Sequence, residues 1–220
     1  MSKHSPRHYA VPTDTARPLP YRGIFMEFTR LVGRSYLGLF GWKLRGDWPP
    51  DIDKFVLVAA PHTSNWDGLA MLSMASYYRA ATKWMGKKSL TTGPFGWLIK
   101  MIGCVPVDRS KSTSLVDQMA EAFAERDKMV LLVPPEGTRG SVKEWKTGFY
   151  HIAVAAKVPL VLSALDYGTK SGGVIGVFYP TGDYEADLPV IMSYYSGLKG
   201  KFPENHPDYE TVSKTLSSKT

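Results

Sequence analysis

The chain contains one cysteine, Cys104. No disulfide can close within it, which suits a reducing compartment, and no cysteine-based zinc site can form. No stretch reaches the ~18 uncharged apolar residues of a spanning helix, and residues 1–20 lack the apolar region of a secretory signal. A membrane, if met, is met along its surface. Two catalytic signatures are missing as well. There is no G-x-S-x-G turn to expose a nucleophilic serine and no G-x-x-x-x-G-K-[ST] loop to cradle a nucleotide phosphate. Acids are scarce relative to bases: 20 Asp and Glu against 27 Lys and Arg give a formal charge of +7. That balance draws the protein towards phosphate-rich partners, nucleic acid or anionic lipid. Of the five histidines only His4 and His8 lie close together, in a polar leader, so no metal site is expected.

What is present fits one α/β domain with an appendage. The 220 residues are enough for one good core. Residues 1–20, with four prolines, read as a flexible leader. Residues 21–46 read as an amphipathic helix. Ile24, Phe25, Phe28, Leu31, Val32, Tyr36, Leu39 and Phe40 recur at helical spacing, with Arg22, Arg30, Arg34, Lys43 and Arg45 between them. Such a stripe fits a helix docked on its own core or one lying in a lipid interface. Residues 47–220 alternate apolar runs with helical patterns. "KFVLVAA" (54–60), "TKWMG" (82–86), "MVLLVPP" (129–135), "PLVLSALDY" (159–167) and "GGVIGVFYP" (172–180) read as strands. Residues 67–80, 95–103, 112–128 and 148–157 read as helices, and the tail from 184 is helical in patches. The alternation predicts an α/β fold, a mostly parallel central sheet flanked by helices, with ligands beyond the carboxyl ends of the strands.

Polar clusters follow three of the apolar runs. In "VAAPHTSNWDG" (58–68), His62 offers an imidazole able to accept a hydroxyl proton, and Asp67 a carboxylate able to fix its tautomer. Residues five apart do not share a helix face, so the pair meets only if the chain bends between strand and helix. Ser64 and Asp67 also spell an S-x-x-D capping box, in which Asp67 merely closes a helix start. In "PPEGTRG" (134–140), Glu136 and Arg139 flank a turn at Gly137; an arginine there can hold a phosphate bidentately. The alternative is a surface turn with an ion pair. In "GCVPVDR" (103–109), Asp108 and Arg109 close another apolar run, and Lys87 and Lys88 precede "GPFGWL".

In order, these blocks resemble the phospholipid/glycerol acyltransferases of the 1-acylglycerol-3-phosphate acyltransferase type. The four family blocks correspond to residues 61–67, 103–109, 134–140 and 158–162, and the resemblance spans residues 54–165. It implies an O-acyltransferase moving a fatty acyl group from acyl-CoA or acyl carrier protein to the free hydroxyl of a lysophospholipid. The default acceptor is 1-acylglycerol-3-phosphate, giving phosphatidic acid. By the resemblance, His62 is the general base and Asp67 its partner. Lys87, Asp108, Arg109, Glu136, Gly137, Thr138 and Arg139 would bind substrate, Lys146 and Gly148 match a K-x-G pair, and Pro159 would shape the acyl-donor side. No cofactor is implied beyond the thioester co-substrate. The helix at 21–46 would then dock on anionic lipid, making the protein peripheral on the cytoplasmic face of the inner membrane, with no nucleic-acid partner. Pro61, Pro106, Pro134 and Gly140 depart from the family pattern, a difference that bears on acceptor identity and chain preference. Another lysolipid, such as lyso-ornithine lipid, is an alternative acceptor. An esterase using Ser64 and a non-catalytic basic lipid- or nucleic-acid-binding module are the competing classes.

Overall fold

A computed structural model describes residues 23–108, 114–142, 144–206 and 209. The leader, Arg22 and Arg109 lie outside these residues. The described strands form one seven-stranded sheet: β1 (Lys43–Arg45), β2 (Lys54–Ala60), β3 (Thr82–Lys87), β4 (Cys104–Val107), β5 (Met129–Val133), β6 (Leu160–Asp166) and β7 (Ser171–Phe178). Their order is β1-β7-β6-β2-β5-β3-β4, and every neighbouring pair is parallel except β6 and β7. Helices α1 (Gly23–Leu39) and α2 (Asn65–Tyr77) cover one face. On the other lie α5 (Leu115–Ala124), α6 (Gly148–Ala156) and α7 (Tyr184–Ser193), while α3 (Lys88–Thr92) and α4 (Gly96–Met101) link β3 to β4.

The central strand, β2, explains the layering. Its side chains alternate between faces with period two. Val56 and Val58 pack with Phe123, Phe149, Ile152 and Ile191 from α5, α6 and α7. Phe55 and Leu57 pack with Trp48 and Val161 on the opposite side. A strand buried on both faces needs a continuous apolar run, and "KFVLVAA" supplies it. Each such large side chain stabilises the fold by about 1.5–3 kcal/mol on burial. Helix starts are fixed by capping: Ser64 caps α2 and Ser114 caps α5, each in a reciprocal box with the aspartate three residues on.

The expected helix over 21–46 is shorter. It stops at Leu39; the chain turns at Gly41, whose φ of +69° suits glycine, and Lys43–Arg45 joins the sheet edge beside β7. Helix α1 also docks by an unexpectedly narrow line. Met26, Gly33 and Leu37 are buried, and a Cβ on Gly33 would stand 3.0 Å from the Ser73 carbonyl oxygen of α2. The bulky Ile24, Phe25, Phe28, Leu31, Val32 and Leu39 remain exposed. No helix among the described residues is long and apolar enough to cross a membrane.

Candidate active site

Parallel strands β6, β2, β5, β3 and β4 end along one edge of the sheet, and the chain leaves each through a polar loop. After β2 comes a tight corner into α2. His62 Nδ1 stands 3.3 Å from Asp67 Oδ2. The ring nitrogen is buried and does not reach full hydrogen-bond geometry with that oxygen; catalytic contacts of this kind commonly tighten once substrate is in place. The same Oδ2 accepts the backbone N–H groups of Thr63 and Ser64, each at 2.7 Å. Helix capping and contact with the imidazole are therefore one arrangement, and the two readings of Asp67 do not compete. Ser64 is buried and its Oγ accepts the Trp66 N–H as the cap of α2.

Asp67 is fully buried, while the His62 side chain keeps 18% exposure. Burial pushes the Asp67 carboxyl up, but the His62 ring, the Tyr167 hydroxyl and the N–H groups of Ser64 and Thr63 outweigh it and hold the group below its ordinary value. Asp67 is thus anionic and correctly charged to orient an imidazole.

The turn after β5 reaches the same corner. Glu136 Oε1 accepts the His62 backbone N–H at 3.2 Å, and Arg139 Nη1 donates to the side-chain oxygen of Asn65, the first residue of α2. Gly137, Thr138 and Arg139 are exposed. Gly137 has φ of +66°, and a Cβ there would meet Lys146 Cδ at 2.9 Å. Lys146 thus lies across the turn, with its N–H donating to the Pro135 carbonyl. Glu136, expected among the substrate-binding residues, is buried. It is 1% exposed, and Tyr209 donates to its Oε1 from the C-terminal segment. From beneath, its Oε1 holds the loop that carries His62. Burial raises its carboxyl to about 7 against the weaker opposing pull of its hydrogen bonds and of His62.

Lys87 ends β3, and Asp108 follows β4. Lys87 is exposed and, with Lys88, Ser89 and Val107, lines a shallow depression. Lys88 Nζ pairs with Asp108 Oδ2 at 2.8 Å. The structure therefore brings His62, Asp67 and Glu136 together, ties Arg139 to Asn65 at the start of α2, and puts Lys87 and Asp108 on the neighbouring strand ends. Among the described residues no group of three or more His, Cys, Asp or Glu is arranged to hold a metal ion.

Two contributors were not singled out from the sequence. Tyr167, immediately after β6, donates its hydroxyl to Asp67 Oδ1 at 2.7 Å. Its position past a buried parallel strand was the available signal. The segment from Lys199 to Asn205 also braces the site: the Lys199 carbonyl accepts the Tyr167 N–H, the Lys199 N–H donates to Asp166 Oδ1, Phe202 N–H donates to Thr63 Oγ1, and Asn205 donates to the Arg139 carbonyl. Nothing in its composition marks that role.

Comparison with known proteins gives a consistent result. Residues 49–164 match the family model described as Acyltransferase. The 1-acyl-sn-glycerol-3-phosphate acyltransferases of Salmonella typhimurium and Escherichia coli are each 33% identical over 143 residues, covering 61% of this chain and 56% of the relative. The chain thus spans about half the length of the curated relatives it matches. The crystal structure of the 1-acyl-sn-glycerophosphate (LPA) acyltransferase PlsC from Thermotoga maritima superposes with a TM-score of 0.54 at 17% identity, covering 88% of this chain and 79% of the other. That likeness concerns the fold.

Proposed function

The chain belongs to the acyltransferase family, and from that premise we propose that it transfers a fatty acyl group from an acyl thioester to the free hydroxyl of 1-acylglycerol-3-phosphate. The observation that carries this reading is the His62–Asp67 pair at a strand-end corner, with Arg139 tied to the same helix start. His62 takes the hydroxyl proton as the oxygen attacks the thioester carbon. Asp67 holds the ring and stabilises the imidazolium. The tetrahedral intermediate collapses, the C–S bond breaks, and the thiolate of coenzyme A or acyl carrier protein leaves with the proton from His62. No acyl-enzyme is needed. Arg139, with Lys87 on the neighbouring strand end and Arg109 beyond it in sequence, holds the acceptor phosphate. Support for the acceptor comes from the names of the relatives, which are 1-acyl-sn-glycerol-3-phosphate acyltransferases.

The same reading gives α1 a purpose. Its exposed Ile24, Phe25, Phe28 and Leu31 enter the acyl boundary of a membrane surface while the protein's basic charge meets anionic headgroups. The protein acts as a peripheral enzyme on the cytoplasmic face of the inner membrane.

The test is a panel of lysolipids, including 1-acylglycerol-3-phosphate and lyso-ornithine lipid, with acyl-CoA and acyl carrier protein donors. Thiol release is followed for wild type, His62→Ala and Ser64→Ala. Transfer to 1-acylglycerol-3-phosphate that survives Ser64→Ala and disappears in His62→Ala is the expected result. Activity lost in Ser64→Ala, in a folded protein, would point to an esterase-like nucleophile. Binding to lipid or nucleic acid that is untouched in His62→Ala, with no thiol release by wild type, would point to a non-catalytic module.

A further inference from the structure

We propose that Tyr167 is a positioning residue of the acyl transfer: its hydroxyl locks the Asp67 carboxylate in the rotation that presents Oδ2 to the His62 ring. The proposal rests on the reading of His62 as the general base, and it extends the site to a residue beyond the matched family region, which ends at 164.

The two oxygens of Asp67 have separate duties. Oδ2 takes the N–H groups of Thr63 and Ser64 and faces the ring. Oδ1 takes the Tyr167 hydroxyl at 2.7 Å. Asp67 is fully buried, so without that hydroxyl Oδ1 would be a buried anionic oxygen in need of a donor. A group so placed turns to find one. Turning carries Oδ2 away from the imidazole.

Tyr167 is itself held. Its backbone N–H donates to the Lys199 carbonyl at 2.8 Å, and its ring meets the edge of Trp42 with centroids 4.9 Å apart at 84°. Lys170 Nζ lies 5.9 Å from the ring. Burial and the contact with Asp67 push the phenol far above its ordinary value, so it remains a donor across the working pH range. The other ionisable group that senses Asp67 is Tyr36 on α1, whose phenol is raised by burial and then by the Asp67 charge.

The experiment uses the full chain, labelled with ¹⁵N-histidine, as wild type and Tyr167→Phe, with His62→Ala to assign the ring signals. Phenylalanine keeps the contact with Trp42 and removes only the hydroxyl. In the variant the His62 ring is expected to lose its single-tautomer state as Asp67 Oδ2 turns away from it. In the thiol-release assay kcat falls about tenfold, a change of about 1.4 kcal/mol, with KM for both substrates unchanged. An unchanged tautomer in the folded variant would overturn the proposal. If wild type transfers acyl groups to no acceptor, the functional reading fails, while the ring tautomer still decides whether Tyr167 governs the pair.

Discussion

The corner after β2 and the rim after β3 and β4 stand on the same edge of the sheet and are built in opposite ways. At the corner, Asp67 is fully buried, two backbone N–H groups and a tyrosine hydroxyl reach its carboxylate, and a second carboxylate holds the His62 N–H from below. At the rim, Lys87 and Lys88 are exposed, and Lys88 pairs with Asp108 in partial contact with solvent. On the proposed function, the difference follows from the task. Proton transfer depends on sub-ångström placement, so its groups must be fixed by packing and hydrogen bonds. Recognition of an anion by lysine depends on charge on a long flexible stem and tolerates looseness. Variants at the corner should therefore change kcat, and variants at the rim should change KM.

The largest effect is expected at the corner's centre. His62→Ala should lower kcat about a thousandfold, on the order of 4 kcal/mol, with a folded protein and a little-changed KM for the thioester. Asp67→Asn should lose somewhat less, on the order of a hundredfold, because the imidazole remains but its tautomer is no longer imposed. Steady-state kinetics on vesicles carrying lysolipid measure both. A loss in KM alone would place these residues with the rim and erase the contrast.

Next in size is a stability effect from Glu136. Its carboxyl is raised in the folded state to about 7, above the ordinary value of 4.5. Between those values the folded protein binds a proton that the unfolded chain has released. Stability is therefore highest below about pH 4.5 as far as this group is concerned, and is lost as pH rises through about 7. The total is on the order of 3 kcal/mol. Glu136→Gln should flatten this part of the profile while its amide oxygen still accepts the His62 N–H. Denaturant titrations between pH 5 and 8 provide the measurement, and an equal slope in both proteins would mean that the carboxylate is not titrating in this window.

How far all this was legible in the residues follows the range of the interactions. The strands β2, β5 and β6 were readable because burial on both faces demands an unbroken apolar run, and His62, Asp67, Glu136 and Arg139 because each sits a few residues past such a run. Strand β1 was hidden by its length of three residues and by the helical periodicity running up to it. The antiparallel β7 was open to inference, since β6 ends at Asp166 and β7 begins at Ser171, too short a link for a parallel crossover. The depth of Glu136 was not legible, because motif position says nothing about burial; only its contact with Tyr209, on the Trp145 side of the core, reveals it. Tyr167 lies 100 residues from Asp67, and no local pattern encodes that contact.

Arg139 lies between the two regions, and its substitution sharpens the comparison. Its guanidinium is exposed yet hydrogen-bonded to Asn65 at the start of α2. Arg139→Ala should raise KM for a phosphate-bearing acceptor about tenfold, or about 1.4 kcal/mol, with little change in kcat. Arg139→Lys should recover only part, because the forked donor geometry is lost. A kcat effect as large as that of Asp67→Asn would show that the contact with Asn65 makes Arg139 part of the fixed corner.

The smallest effect belongs to the rim. Lys88→Ala breaks the 2.8 Å pair with Asp108, but the lysine side chain is more than half exposed, so folding stability should change by no more than about 0.5 kcal/mol. KM for an anionic acceptor should rise about two- to threefold at low salt. The difference should fade as ionic strength approaches about 1 M, where charges are screened over about 3 Å. Kinetics at two salt concentrations separate this from a geometric role, because a displaced reacting atom is not restored by screening. A salt-insensitive fall in kcat would mean that the Lys88–Asp108 pair fixes the substrate as the buried corner fixes the base, and the division of labour between the two regions would no longer stand.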